Sequence, residues 1–281
     1  MSTTISQQEF EIFKAQGFSR VPIMMEVLAD LETPLSTYMK LVADGTYSYL
    51  FESVQGGEKW GRYSIIGLPC RTVVRVHGHD ISIETDGQIV ESVVATDPLG
   101  WVERYAAQFK APEVDHMPRF TGGLVGYFGY DTVRYIEPRL GSSPNPDPLG
   151  TPDILLLVSE EVVIFDNLSG KLHIIVNADP SIDQSYEKGL ARLQEVSNEL
   201  RTHVLSDVAS EVITQKVGEE DFVSGFTQER YEAAVDKIKD YIVSGDAMQV
   251  VLSQRLTIPY QAPPLSLYRA LRCLNPSPYM F

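Results

Sequence analysis

The residues best suited to bind a small molecule are concentrated in an early hairpin. Glu52 and Ser53 end a run of strand-forming residues, and Ser64 lies in the next such run, after a Gly-Gly turn. The hairpin therefore carries a carboxylate, which accepts hydrogen bonds, and two hydroxyls, which donate or accept them. The same pattern fits a solvated hairpin without a ligand, because loops are polar as a rule. The pattern alone leaves both interpretations open.

A proline-rich segment with three large apolar residues forms the last seven residues, NPSPYMF. Pro276 and Pro278 restrict the backbone and predict a rigid turn that leads into a strand. Tyr279, Met280 and Phe281 would ordinarily pack in a core, since such side chains fill protein interiors more often than they contact ligands. From the pattern alone, we expect an apolar strand here.

Other motifs give only weak indications of chemistry. The stretch GGLVGYFG, from Gly122, has closely spaced glycines but lacks the GxGxxG register and a following Lys-Ser/Thr. A phosphate-binding loop is therefore not expected. His77, His79 and Asp80 have metal-ligating side chains, but they lie where a hairpin must turn, so we expect no metal site in this chain. No Ser-His-Asp or Cys-His arrangement for nucleophilic catalysis stands out.

The elements that would position these residues are mostly short strands. From about residue 46 to 94, β-branched and aromatic runs alternate with Gly and Asp, and Asp86-Gly87 is a favoured two-residue hairpin turn. Ser6 and Glu9 form a capping-box pattern that predicts the first helix. Further helices are predicted to start near Pro34, Pro98, Ile182, Thr227 and Pro264. Long single strands are predicted over 154–166, 171–179 and 248–258.

Successive strands joined by short turns, with helices between the groups, predict an α+β fold. We expect antiparallel β-sheets that form a sandwich-like core with flanking helices. The segment 206–226 is polar, acidic and weakly periodic, and is interpreted as a linker. It would separate an N-terminal region, 1–205, from the beginning of a second region, 227–281.

The composition restricts the class of protein. The chain has 281 residues, 43% of them hydrophobic, which suits a globular protein with a sizeable core. Its formal net charge of −15 argues against binding to nucleic acid or to an anionic membrane, because both attract basic residues. Two cysteines far apart in sequence argue against a disulfide framework, and no apolar run is long enough for a transmembrane helix. We therefore expect a cytoplasmic protein.

Taken together, the early hairpin and the terminal segment resemble the tryptophan-sensing site of anthranilate synthase component I. The spacing from Glu52 and Ser53 to Ser64 is similar to that family's LLES-x10-S pattern, and the terminal segment is similar to its NPSPYM motif. Three further stretches resemble the same family, at 28–34, 122–131 and 245–256. The resemblance extends over essentially the whole chain.

The resemblance implies a feedback site for L-tryptophan to which both motifs contribute. The residues expected to line it are Glu52, Ser53, Ser64, Pro278, Tyr279 and Met280. An amino acid presents an ammonium and a carboxylate, which need polar partners, and the serines, the glutamate and backbone groups provide these. The indole ring needs an apolar slot, which proline, tyrosine and methionine provide.

The resemblance also implies a lyase activity, in which chorismate and ammonia become anthranilate and pyruvate, with Mg2+ assisting the loss of the ring hydroxyl. A separate glutamine amidotransferase subunit, component II, would supply the ammonia. Family members are much longer, and their Mg2+-binding carboxylates, catalytic histidine and most chorismate contacts lie in the C-terminal half. We therefore expect this chain to be a C-terminally truncated piece of the enzyme that has no synthase activity alone.

Gln249 is the residue of this chain that the resemblance suggests for the neighbourhood of the active site. Relatives that add water to chorismate carry a lysine at the matching position, and a lysine with a lowered pKa can deprotonate water. A glutamine amide is no base near neutral pH, but it can hydrogen-bond an incoming amine. Gln249 thus favours an amine-transferring relative, although it also fits an ordinary buried strand.

Two alternatives to anthranilate synthase component I remain open. One is the same part of aminodeoxychorismate synthase component I, a close relative that forms a different product isomer. The other is a free-standing tryptophan-binding regulatory module without catalysis.

Overall fold

A computed structural model of the chain describes residues 4–42, 46–53, 61–205 and 216–281. The helices are α1 Gln7–Ala15, α2 Pro34–Val42, α3 Pro98–Ala106, α4 Val133–Ile136, α5 Ser185–Thr202, α6 Gln228–Val243 and α7 Pro264–Leu274. The strands are β1 Val21–Leu28, β2 Tyr49–Phe51, β3 Tyr63–Gly67, β4 Thr72–His77, β5 Asp80–Thr85, β6 Gln88–Val94, β7 Gly123–Phe128, β8 Ile154–Ser159, β9 Glu161–Asp166, β10 Lys171–Ala178, β11 Val223–Ser224 and β12 Leu256–Thr257. Within these ranges, every helix is too short or too polar to cross a membrane.

Two local signals in the sequence act as predicted. The Ser6 hydroxyl accepts a hydrogen bond from the Glu9 amide, and the Glu9 carboxylate accepts one from the Ser6 amide at 2.7 Å. The capping box therefore satisfies amides that the start of α1 leaves without helical partners. Asp86 and Gly87 have φ angles of 52° and 78°, as the tight turn between β5 and β6 requires.

Two five-stranded sheets carry most of the strands. The first sheet has the order β1-β10-β9-β3-β2, and the second sheet has the order β6-β5-β4-β8-β7. A separate two-stranded sheet pairs β11 with β12. The pairings between the described strands are all antiparallel. Together with the helices, they confirm the predicted α+β class.

The prediction of one long strand over 154–166 is wrong. The chain forms β8 in the second sheet and β9 in the first sheet, with Glu160 between them. β8 pairs with β4 and β7, whereas β9 pairs with β3 and β10. Both halves are buried and strand-forming, so the sequence pattern gives no sign that the two halves find partners in different sheets.

The core lies against the two sheets. Buried valine and isoleucine side chains of β4, β5 and β8 pack with Val102 of α3 on the second sheet. α5 packs against β1 and β10 of the first sheet. Gly189 allows this close approach, because a Cβ there would lie 2.7 Å from Ile23 Cδ1 and would force that side chain to shift. Burial of each aliphatic side chain contributes about 1.5–3 kcal/mol, so α5 stabilises the first sheet, which carries the early hairpin.

The chain divides into two compact units. One comprises Met1–Ser206 together with Arg272–Phe281, and the other comprises Asp207–Leu271. The last ten residues therefore belong to the unit that contains the early hairpin. Part of the predicted linker, residues 206–215, lies outside the described residues, and the division into 1–205, 206–226 and 227–281 stays a prediction.

The predicted strand over 248–258 is also wrong for most of its length, since only Leu256–Thr257 is a strand. A strand needs a neighbour for its backbone N–H and C=O groups. Among the described residues, the neighbour of this strand is the two-residue β11, which pairs at Val223 and Ser224. The segment has an apolar pattern typical of a strand, but β11 is only two residues long, so only two residues of the segment pair with it.

Candidate functional site

The early hairpin forms one edge of the first sheet, with β2 outermost and β3 next to it. Leu50 pairs with Ile66 across β2 and β3, and β3 pairs in turn with β9. Gly67 opposes Tyr49, and a Cβ at Gly67 would overlap the Tyr49 ring. The Tyr49 hydroxyl lies 2.7 Å from Ser159 Oγ, and burial raises the pKa of the Tyr49 phenol. These contacts fix the position of β2, the strand that leads to Glu52, relative to β3.

The terminal segment pairs with the end of this hairpin. The Glu52 amide donates to the Met280 carbonyl at 2.9 Å, and the Met280 amide donates to the Glu52 carbonyl at 2.9 Å. This two-way exchange is an antiparallel bridge one residue long. One residue further on, Ser53 Oγ donates to the Pro278 carbonyl at 3.0 Å. The backbone of the terminal segment is thus fastened to β2 as an extra edge.

Ser64 stabilises the hairpin through a hydrogen bond to its backbone. Its side chain is fully buried, and its Oγ accepts a hydrogen bond from the Ser53 amide at 3.1 Å. The Asn167 side chain approaches the same Oγ at 3.5 Å and also donates to the Gly61 carbonyl at 3.1 Å. Ser64 therefore fixes the backbone at Ser53, whose own hydroxyl holds the terminal segment.

The Glu52 carboxylate is buried and carries a bidentate ion pair. Arg272 donates from Nε at 2.7 Å and from Nη2 at 2.8 Å to the two carboxylate oxygens. The Glu52 side chain is 3% exposed, whereas the Arg272 side chain is 34% exposed. A buried carboxylate requires such a partner, because an unpaired charge in a protein interior is strongly unfavourable.

Aromatic side chains lie on the other face of this strand pair, because successive side chains of a strand alternate between its two faces. The rings of Phe51 and Phe281 lie 6.2 Å apart in an edge-to-face arrangement, and those of Tyr49 and Phe51 lie 5.1 Å apart. Tyr279 is 47% exposed and Phe281 is 90% exposed. Large apolar side chains that are exposed next to a segment held by backbone and hydroxyl hydrogen bonds suit contact with an apolar part of a ligand.

Five of the six residues predicted for the tryptophan site are joined by hydrogen bonds in one place. We call the six the hairpin–tail site: Glu52, Ser53, Ser64, Pro278, Tyr279 and Met280. Tyr279 lies between two of them in the chain, and its side chain faces partly into solvent. The Gly-Gly turn of the hairpin, within 54–60, lies outside the described residues. Tryptophan binding stays a prediction.

Sequence reasoning missed Arg272. It lies 220 positions from Glu52 in the chain and outside the matched NPSPYM motif, so no local spacing relates the two residues. The signal that could have indicated it is indirect. A glutamate at the end of a buried strand needs a cation nearby. The nearest basic residue to the terminal motif is Arg272, which precedes Asn275 by three positions.

Gln249 is placed differently from the prediction. It lies in irregular backbone, in the second unit, and its side chain is exposed. The buried strand expected for it is therefore absent, because the paired segment begins only at Leu256. A role for Gln249 near an active site stays a prediction.

The described residues contain no group of three His, Cys, Asp or Glu side chains placed to hold a metal ion. The carboxylate of the hairpin–tail site is already bound by a guanidinium. Such a donor set does not fit Mg2+, which prefers several oxygen ligands in octahedral geometry. The hairpin–tail site is therefore not suited to bind Mg2+.

Comparison with known proteins supports the resemblance. A family profile described as chorismate binding enzyme matches residues 51–281. Anthranilate synthase component 1 of Pseudomonas aeruginosa is 56% identical over 277 residues, which cover 99% of this chain and 56% of that protein. The protein of the same name from Neisseria gonorrhoeae is 50% identical over 281 residues, again covering 99% and 56%. The chain thus spans about half the length of the curated relatives it matches.

A solved structure has a similar fold. The crystal structure of anthranilate synthase component I from Streptococcus pneumoniae TIGR4 superposes with a TM-score of 0.60 at 28% sequence identity. The match covers 91% of this chain and 54% of that one.

Proposed function

Given that the chain belongs to the family of chorismate binding enzymes, we propose that it is part of an anthranilate synthase component I. The whole protein would convert chorismate and ammonia to anthranilate and pyruvate. The support is the identity of 49–56% with proteins of that name over nearly all of this chain. The alternative of an aminodeoxychorismate synthase has no comparable support among these relatives.

Within that protein, this chain would carry a site for the feedback inhibitor L-tryptophan. The observation that carries this proposal is the pairing of the terminal segment with the hairpin, through the Glu52–Met280 bridge and the Ser53–Pro278 hydrogen bond. The pairing places the Glu52 carboxylate on the same strand face as the apolar Met280 side chain. An amino acid with an indole side chain has the matching combination of charged and apolar parts.

The catalytic partners of the whole protein are proposed on the same basis. Chorismate would be the substrate, a glutamine amidotransferase subunit would supply ammonia, and Mg2+ would act on the substrate in the other half of the protein. The chain itself would have no synthase activity, since it spans about half the length of the relatives that carry that name. We expect the protein to act in the cytoplasm.

Calorimetric titration of the chain with L-tryptophan tests the sensor. We expect saturable binding of one tryptophan per chain, and clearly weaker binding of L-phenylalanine, which lacks the indole N–H. Ser53→Ala should weaken tryptophan binding, because it releases the terminal segment at Pro278. Ser92→Ala on the exposed edge strand β6 is the matched control and should leave binding unchanged. Absence of tryptophan binding to the unaltered chain would contradict the proposed sensor.

A further inference from the structure

The ion pair at the centre of the hairpin–tail site occupies the group that an amino-acid ligand needs. Glu52 is the one carboxylate among the six residues of the site, and its two oxygens already accept hydrogen bonds from Arg272 at 2.7 and 2.8 Å. An α-ammonium group bound at Glu52 would have to share this carboxylate or replace the guanidinium. With the Glu52 side chain 3% exposed, sharing leaves little space for a second cation.

Resting on the proposed tryptophan site, we propose that Arg272 is an internal competitor of the ligand's ammonium group. The guanidinium neutralises Glu52 in the structure. An incoming amino acid replaces it, so that the ammonium pairs with Glu52 and the guanidinium moves towards solvent. Arg272 thereby determines specificity, because a ligand without an ammonium group cannot replace it.

The exposure of the two partners supports this direction of exchange. One third of the Arg272 side chain is already exposed, so its release to water costs less than exposure of the carboxylate would. The backbone bridge between Glu52 and Met280 does not involve the carboxylate, so it can persist during the exchange. The terminal segment therefore stays in place while its guanidinium leaves.

The exchange of cations at Glu52 would also affect the end of α7. Arg272 lies in the last turn of α7, and the pair with Glu52 attaches that turn to the hairpin. When the ammonium group takes the carboxylate, the last turn of α7 loses its ion pair with Glu52. Tryptophan binding is thus coupled to release of the last turn of α7 from the hairpin. Because such coupling is reciprocal, any change that favours release of this turn raises the affinity for tryptophan by the factor by which tryptophan favours release.

Arg272→Met tests the competition, because it removes the guanidinium and keeps most of the apolar stem. We expect L-tryptophan to bind this variant at least about tenfold more tightly than the unaltered chain, since the ligand no longer displaces a charged partner. Indole-3-propionate, which lacks the ammonium group, should not gain affinity. Arg272→Lys keeps a positive charge but loses the two-point contact. Its affinity for L-tryptophan should lie between that of the unaltered chain and that of Arg272→Met.

Arg192→Met is the matched control. Arg192 forms a comparable pair with Glu161, with Nε and Nη2 at 3.0 Å and a side chain 32% exposed. Its removal changes the net charge equally and should leave tryptophan affinity unchanged. The double variant Glu52→Gln/Arg272→Met, which has no buried unpaired charge, should fold and should lose the gain in tryptophan affinity.

Hydrogen exchange provides a readout that a merely structural pair would not change. Tryptophan should speed exchange at the amides of Arg272, Cys273 and Leu274 while the Glu52 and Met280 amides stay protected. If the unaltered chain binds tryptophan but Arg272→Met binds it equally or more weakly, the competition is wrong and the sensor stands. If the unaltered chain does not bind tryptophan, the proposed sensor itself fails.

Discussion

The sharpest stability prediction concerns Ser64→Ala. Ser64 Oγ is the acceptor of the Ser53 amide at 3.1 Å, in a side chain with no exposed surface. Alanine removes this acceptor and leaves the Ser53 amide without its protein partner. The Asn167 amide keeps its hydrogen bond to the Gly61 carbonyl, so one donor is lost and not two. A buried donor without a partner costs about 1–3 kcal/mol, and one lost donor predicts about 1–2 kcal/mol.

Urea unfolding followed by circular dichroism measures this difference. We expect the midpoint of unfolding to fall while its dependence on urea stays the same, since the surface exposed on unfolding does not change. Ser92→Ala, on the exposed strand β6, is the control and should shift the free energy of unfolding by less than about 0.5 kcal/mol. A loss for Ser64→Ala no larger than that of the control would refute the role assigned to this hydroxyl.

Further predictions address the sheet, pH and function. Gly67→Ala should destabilise the chain more than an ordinary surface substitution does, because its Cβ would overlap the Tyr49 ring; thermal unfolding checks this. The Arg62 guanidinium holds the pKa of Asp166 at about 2, below its ordinary value, so this pair stabilises the fold above about pH 4 and its contribution is lost as pH falls towards 2. Arg62→Met should therefore lower stability at pH 7 much more than at pH 2, and equal losses at both would contradict this. In a full-length relative, the substitution matching Ser53→Phe should relieve inhibition by tryptophan and spare turnover; unchanged inhibition in enzyme assays would count against the site. The chain with chorismate, ammonia and Mg2+ should form no fluorescent anthranilate above background, and detectable product would overturn the predicted inactivity.

Local signals predicted much of the fold. The capping box at Ser6 and Glu9 and the turn at Asp86-Gly87 depend only on near neighbours in the chain, so the sequence alone is enough to find them. The strand 154–166 is different, because its division at Glu160 depends on partners far away in sequence. The segment 248–258 has a strand-like pattern, but pairing requires a neighbour that its composition does not specify.

The hairpin–tail site was predictable only in part. The resemblance indicated which two segments meet, and the structure brings Ser53 within hydrogen-bonding distance of Pro278. Neither pattern nor spacing indicated that Glu52 would be buried and paired with Arg272. That pair depends on where α7 ends relative to the hairpin, which is a property of tertiary packing. Sequence motifs therefore gave no indication of Arg272, the residue that we expect to influence ligand specificity most.

The most direct test of the account is the methyl NMR spectrum of the chain with carbon-13-labelled methionine during titration with L-tryptophan. A bound indole shifts a nearby methyl group through its ring current, and the other methionines of the chain, which has seven, serve as internal references. We predict that the Met280 methyl resonance moves saturably while the buried methionines of β1, Met24 and Met25, stay fixed. Saturable binding of tryptophan with an unmoved Met280 resonance would contradict the claim that the hairpin and the terminal segment together form the site.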